Sequence, residues 1–294
     1  MKISIIGKFK KLYDEEYIAR SFEMIGHEVQ RIEQTLYWTT IAAELSKFRP
    51  DMLLYSKWEC PHELRSTLIT LNPKKVSWIF DLYFNYPREW QVGTRWFFKA
   101  SDVVFSTDGG HGPQWTQKGI KHHCVRQGIY KPECWYRIDK PEYDVVFVGC
   151  DNPLYMERRQ KLEQLAKMYN FKWFGRKNTD ELRGENLNEI YAKTKIVVGD
   201  SVYSPYYWSN RVVETLGRGG FLIHRDVPGI KEEYPDLVTY DGTMEDLLKK
   251  IDYYLSHEEE RQEIIRKNFE HVRDHYTMDK KCEELITWLN QLTT

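Results

Sequence analysis

The chain has 294 residues, 41% hydrophobic and 30% charged, with 43 Lys plus Arg against 44 Asp plus Glu. That length suggests two domains of about 150 residues, each able to build its own core, and the composition excludes a disordered chain. The formal net charge of −1 supplies no global field that would draw the protein to nucleic acid.

Apolar strands are expected at 2–6, 28–32, 52–56, 76–81, 102–107 and 122–127. Amphipathic stretches at 15–24, 38–47 and 61–71 predict helices between them, with others after Pro87 and Gly112. Strand, crossover helix and strand in repetition argue a parallel sheet covered on both faces. The first strand runs into Gly7-Lys8-Phe9-Lys10, which lacks both the GxGxxG of dinucleotide binders and the GxxxxGK[ST] of P-loops. Hydride transfer and ATP hydrolysis lose their best support. Asp81 closes the strand at 76–81, and a carboxylate at a strand tip is a candidate acceptor-binding or catalytic group. His111 lies in the glycine-rich loop Asp108-Gly109-Gly110-His111-Gly112.

Pro132 and Pro141 bracket a polar segment that reads as a hinge, dividing the chain into domains at 1–135 and 141–277. Strands restart at 143–149, 171–174, 195–199, 221–224 and 237–240, with helices near 154–169, 187–193 and 211–218. Helices at 244–256, 258–274 and 278–292 end the chain. Gly149 ends its strand, and the next helix carries Arg158 and Arg159. Ligands of such sheets gather beyond the C-terminal strand ends, so this loop and the one at 224–229 are expected to face a cleft between the domains.

The most informative stretch is Tyr207 to Ile223. Polar Ser209 and Asn210 suit an N-cap, residues 211–218 can form about two helical turns, and Gly217, Gly219 and Gly220 stop them. At about 100° per residue, Val212, Val213 and Leu216 share one face while Arg211, Glu214 and Arg218 lie opposite. An anion would meet the helix start beside Arg211, and Glu214 one turn on would accept hydrogen bonds from hydroxyls. The bland alternative is a solvated face with Arg211/Glu214 and Glu214/Arg218 pairs, each worth only about 0.2–0.5 kcal/mol.

This stretch resembles the group 1 glycosyltransferases of the GT-B fold, most closely the CgeB-like, or spore-protein-like, branch. Ser209, Asn210, Arg211, Glu214, Gly217, Gly219 and Gly220 stand where that branch has its signature. The resemblance implies two Rossmann-like α/β domains with parallel sheets facing a central cleft, and a last helix, 278–294, that packs back on the N-terminal domain. It gives Glu214 the ribose hydroxyls of a nucleotide-sugar, and Ser209, Asn210 and Arg211 its diphosphate. Gly149 with Arg158 or Arg159, and Gly219 and Gly220, are expected around the same donor. His111 would face the donor sugar, and Asp81 has the strand-end context of the branch. One departure is Tyr206, which stands where many group 1 members carry a second glutamate near the donor sugar.

The implied reaction is transfer of a sugar from a UDP- or GDP-linked donor to an acceptor hydroxyl, retaining by family analogy. No cofactor is expected. No two aspartates are spaced Asp-x-Asp, and neighbours His122, His123 and Cys124 on a strand point to opposite faces, so no metal site is expected. Arginines, a helix start and backbone donors would then stabilise the leaving diphosphate. The acceptor stays open among glycan, protein, small molecule and modified DNA. The last would make this a phage-type enzyme acting on a hydroxymethylated base, and a non-catalytic nucleotide-sugar binder is the other alternative. Five scattered cysteines, Cys60, Cys124, Cys134, Cys150 and Cys282, read as free thiols. With no apolar run near the roughly 20 residues of a membrane span, a cytoplasmic site, in a cell or an infected host, is expected.

Overall fold

The computed structural model describes all residues except 57, 59, 60, 152–155, 176–181 and 292–294. Cys60, the expected helical positions 154 and 155, and the end of the C-terminal helix thus lie outside the described residues. The chain divides into two compact units, one of Met1–Tyr130 with Met278–Thr294 and the other of Lys131–Thr277.

The first unit holds six parallel strands: β1 (Lys2–Gly7), β2 (Glu28–Glu33), β3 (Met52–Tyr55), β4 (Lys74–Ile79), β5 (Val103–Ser106) and β6 (His122–Cys124). Their order is β2-β1-β3-β4-β5-β6, with Ile3 opposite both Val29 and Met52. Side chains alternate between two buried faces, which is why the strands read as nearly continuous apolar runs. Ile3, Ile5, Trp78 and Phe105 belong to one core, and Ile6, Leu53, Ile79 and Val104 to the other. The first core is completed by Met278, Cys282, Leu285 and Leu289, a stripe along the helix Met278–Gln291. The helix enters where Met278 N donates to the Ile129 carbonyl at 2.7 Å. Strand β6 stops three residues before the expected 127, at Cys124, beyond which the Val125 carbonyl accepts the Trp78 indole N–H at 3.0 Å.

The second unit holds five parallel strands: β7 (Tyr143–Val148), β8 (Phe171–Phe174), β9 (Thr194–Gly199), β10 (Leu222–Arg225) and β11 (Val238–Tyr240). Their order is β11-β10-β9-β7-β8. From β7 the sheet grows one way through β8 and the other through β9, so the gap between the C-terminal ends of β7 and β9 is its topological switch point. The segment at 131–135, expected with the first domain, belongs to this unit. Asn188 Nδ2 holds it by donating to the carbonyls of Glu133 at 3.2 Å and Trp135 at 2.9 Å.

Leu285 is fully buried in the first unit. Leu285→Ala should lower unfolding free energy by about 2–5 kcal/mol, the range for a core leucine replaced by a cavity. Chemical denaturation followed by tryptophan fluorescence checks this; an unchanged midpoint would mean that the helix is not part of the core.

Candidate functional site

The switch point of the second unit is closed by one side chain. Arg211 donates from Nε to the Val148 carbonyl at 2.8 Å and from Nη1 to the Asp200 carbonyl at 2.9 Å, joining the ends of β7 and β9. Its guanidinium lies 4.5 Å from the centre of the Phe147 ring, and Nη1 is 3.3 Å from Ser209 Oγ. Gly149 leaves room for it. With φ at 154°, a Cβ there would stand 2.6 Å from Arg211 Nη2.

Arg158 joins from the helix Met156–Met168. Its Nη2 donates to the same Asp200 carbonyl at 3.0 Å, and its guanidinium lies 5.5 Å from the Phe147 ring centre. Arg159 diverges to pair with Asp151, Nε to Oδ1 at 2.9 Å. Of the two neighbouring arginines, the structure brings Arg158 to the switch point.

The Asp200 carboxyl is buried just beyond β9. Burial raises its pKa, opposed by the cations Lys161, Arg158, Arg225 and Arg211. Four positive charges thus act on one carboxyl. Arg211 bears the consequence: burial, then repulsion from Arg158, pulls its pKa down to about 10. Lys161 Nζ donates to the Gly242 carbonyl at 2.8 Å, and Arg225 stacks over the Tyr203 ring at 4.9 Å. Among the described residues, the buried Asp200 Oδ1, Ser201 Oγ, Ser204 Oγ, His224 Nε2 and Tyr240 hydroxyl find no hydrogen-bond partner. Unsatisfied polar atoms at this density are unusual inside a fold and mark a place where water or a ligand belongs.

Asp200 and Lys161 were not among the sequence-predicted site residues, while His224 and Arg225 fall at the start of the expected loop 224–229. Their one sequence signal is position: Asp200 directly follows β9, while His224 and Arg225 end β10.

Glu214 sits in the helix Arg211–Leu216, which has six residues and stops two short of the expected 218. Asn210 precedes it in a helical conformation, φ −54° and ψ −16°, and its side chain makes no cap bond. The expected side-chain cap is therefore absent there. Arg218 leaves the helix and turns inward, 2% exposed, to pair with both Glu214 and Glu133. The polar face of the helix is thus partly interior, and Glu214 is the half-buried end of a Glu133–Arg218–Glu214 chain. Gly219 and Gly220 have packing reasons of their own. A Cβ would meet the Tyr136 ring at 2.2 Å and the Thr215 methyl at 2.6 Å, respectively. Tyr206, at φ 56° and 41% exposed, lays its ring over Gly229 in the loop after β10.

In the first unit, Asp81 and His111 occupy separate loops beyond β4 and β5. Asp81 pairs with Arg88 at 3.2 Å. His111 is buried and stacks on Phe84 at 5.3 Å. Its Nδ1 is 2.9 Å from an Asp108 carboxylate oxygen and its Nε2 3.1 Å from Asn85 Nδ2. A neutral ring with its proton on Nδ1 satisfies both contacts, donating to Asp108 and accepting from the Asn85 amide.

Residues 157–287 match the family described as glycosyl transferase-like. None of the curated proteins compared matches this sequence. Solved structures do match in fold. A sucrose-phosphate synthase from Thermosynechococcus elongatus has a TM-score of 0.65 at 11% identity over 99% of each chain. A glycosyltransferase from Rickettsia africae ESF-5 has 0.65 at 11% identity over 100% of this chain and 98% of that one. An E. coli structure described as trehalose-6-phosphate bound with UDP-2-fluoro glucose has 0.66 at 9% identity over 99% of each chain. The fold is therefore that of GT-B glycosyltransferases, two parallel-sheet α/β units, with a glycosyl transferase-like domain over 157–287.

His224 Nδ1 donates to the Arg225 carbonyl at 2.7 Å, and burial pushes its pKa down from 6.5 to about 4. Between those values the unfolded chain binds more protons than the fold, so this contribution is complete above about pH 6.5 and is lost as pH falls through 4. Its ceiling is about 3 kcal/mol. His122 in the first unit is pushed down to about 4 as well, also by burial, so wild type should lose stability on acidification for both reasons. The unfolding free energy of His224→Gln, measured between pH 7 and pH 4.5, should fall less steeply than that of wild type. Identical slopes would show that His224 is not buried neutral.

Proposed function

We propose that this protein transfers a sugar from a nucleoside-diphosphate sugar to an acceptor hydroxyl, and that the switch point of the second unit holds the donor. The observation that carries the reading is the meeting of the Arg158 and Arg211 guanidinium groups on the Asp200 carbonyl at the ends of β7 and β9, with Lys161 and Arg225 adding to the positive field at the buried Asp200 carboxyl. Three excess positive charges at the C-terminal edge of a parallel sheet are costly in isolation and are complementary to a diphosphate. The same charges would stabilise the diphosphate as it leaves, which supports a metal-independent reaction. Glu214, held by Arg218, is proposed for the ribose hydroxyls, and the signature from Ser209 to Gly220 supports the CgeB-like branch. A UDP- or GDP-linked donor and retention of configuration follow that family pattern. Asp81 and His111 are proposed for the acceptor side. The acceptor class stays with the reading from sequence: glycan, protein, small molecule or modified DNA.

In this reading the residues have separable tasks. Arg158 and Arg211 bind phosphate oxygens and draw off the negative charge that develops as the glycosidic bond to the diphosphate breaks. Glu214 orients the nucleoside. A group on the acceptor side receives the proton of the attacking hydroxyl, a role that Asp81 can fill as a carboxylate.

Arg211→Ala should weaken UDP or GDP, whichever binds wild type, by about ten- to a hundredfold in calorimetry, while affinity for the matching nucleoside changes little. Equal losses for both would reduce Arg211 to a strand-end brace. Glu214→Gln, which keeps shape and a partner for Arg218, should instead narrow the preference for the ribonucleotide over its 2′-deoxy analogue. An unchanged preference would remove Glu214 from the ribose.

Turnover of the sugar nucleotide should survive excess EDTA. Loss of activity restored by Mn²⁺ or Mg²⁺ would contradict metal independence. Nucleotide binding without transfer or donor hydrolysis would favour the non-catalytic binder.

A further inference from the structure

The first unit has a cavity of about 490 Å³ at the opposite end of its strands from Asp81 and His111. Lys75, near the start of β4, lines it, together with Arg65, Leu68, Ile69, Trp96 and Lys99. Asp81 is six residues further along the chain from Lys75, roughly 20 Å when extended. The pocket is therefore separate from the loops proposed for the acceptor.

Its chemistry is divided. Leu68 is buried and Trp96 packs half-buried against the core, giving an apolar floor, while Ile69 is 69% exposed at the edge. Lys75 is neutralised by Asp102, Nζ to Oδ2 at 3.2 Å. Arg65 and Lys99 are exposed and have no ion-pair partner among the described residues, so two positive charges at the pocket stay uncompensated. A volume of this size suits a small organic molecule. An isoleucine left in solvent beside a tryptophan is matched by a ligand body that is planar or apolar. The cations are matched by an anion, and the fork of an arginine favours phosphate.

We propose that this pocket is a second ligand site, which takes a soluble organic phosphate with its phosphate between Arg65 and Lys99 and its body on Trp96 and Ile69. The site is independent of the donor reading, and no bond is made or broken in it.

Phenyl phosphate serves as probe, with inorganic phosphate and phenol as its two halves. Calorimetry should show phenyl phosphate binding wild type at least tenfold more tightly than either half. The double variant R65Q/K99Q changes two exposed side chains, so it should keep the wild-type melting temperature while losing phenyl phosphate affinity at least tenfold. Ile69→Asp should lose it as well. Arg211→Ala should keep it, which separates this pocket from phosphate capture in the second unit. Wild-type affinity in R65Q/K99Q would overturn the proposal. So would sedimentation with phosphatidic acid vesicles in the absence of any phenyl phosphate binding, because the positive patch would then be a membrane contact.

Discussion

The second unit depends on where the Arg211 guanidinium is held. A parallel sheet leaves carbonyl groups at its C-terminal edge without ladder partners, and at a switch point two neighbouring strand ends diverge and both need donors. Arg211 supplies them, bonding the carbonyls of Val148 and Asp200 at once. Three further features follow from that placement. Gly149 must be glycine for the guanidinium to pass, Phe147 must present its ring face, and Arg158 must share the Asp200 carbonyl from the other side. The result is a rigid positive surface whose cost is borne by burial and mutual repulsion, visible in the lowered pKa of Arg211.

The same economy of groups explains the inward turn of Arg218. The six-residue helix from Arg211 to Leu216 is too short to be stable alone, so its polar face has to be supported from the protein side. Arg218 does this by linking Glu214 to Glu133, and Glu133 in turn belongs to the segment pinned by Asn188. A buried pair of this kind adds little net stability but strongly penalises other arrangements, since loss of one partner strands a charge. The Glu214 carboxylate is therefore positioned rather than merely exposed.

Much of this was legible in the sequence, and the reason is periodicity. Runs such as Ile3-Ser4-Ile5-Ile6 and Val145-Val146-Phe147-Val148 are short and rich in β-branched residues, which favours strands buried on both faces, and the longer stretches between them carry an apolar stripe at helical spacing. Arg211, Glu214 and Gly149 could be picked out as candidates from local signals, the glycine break and helical wheel around the first two and the strand end at the third. The rest is non-local. The charge around Asp200 is assembled from Arg158, Lys161, Arg211 and Arg225, residues spread over two helices and a strand and brought together only by strand order. Helix-wheel reasoning put Arg218 on a polar face, but it could not see Glu133, 85 positions earlier in the chain, waiting to receive it. Capping preference failed at Asn210 because the backbone there continues into the helix instead of standing outside it.

The ends of β7 and β9 are proposed to form the diphosphate site of a nucleotide-sugar donor. A crystal structure of the protein with UDP or GDP, whichever binds more tightly in calorimetry, tests it most directly. Phosphate oxygens are expected within hydrogen-bond distance of the Arg211 or Arg158 guanidinium, beyond Gly149, with the ribose toward Glu214. A nucleotide bound with its diphosphate away from both arginines would contradict it.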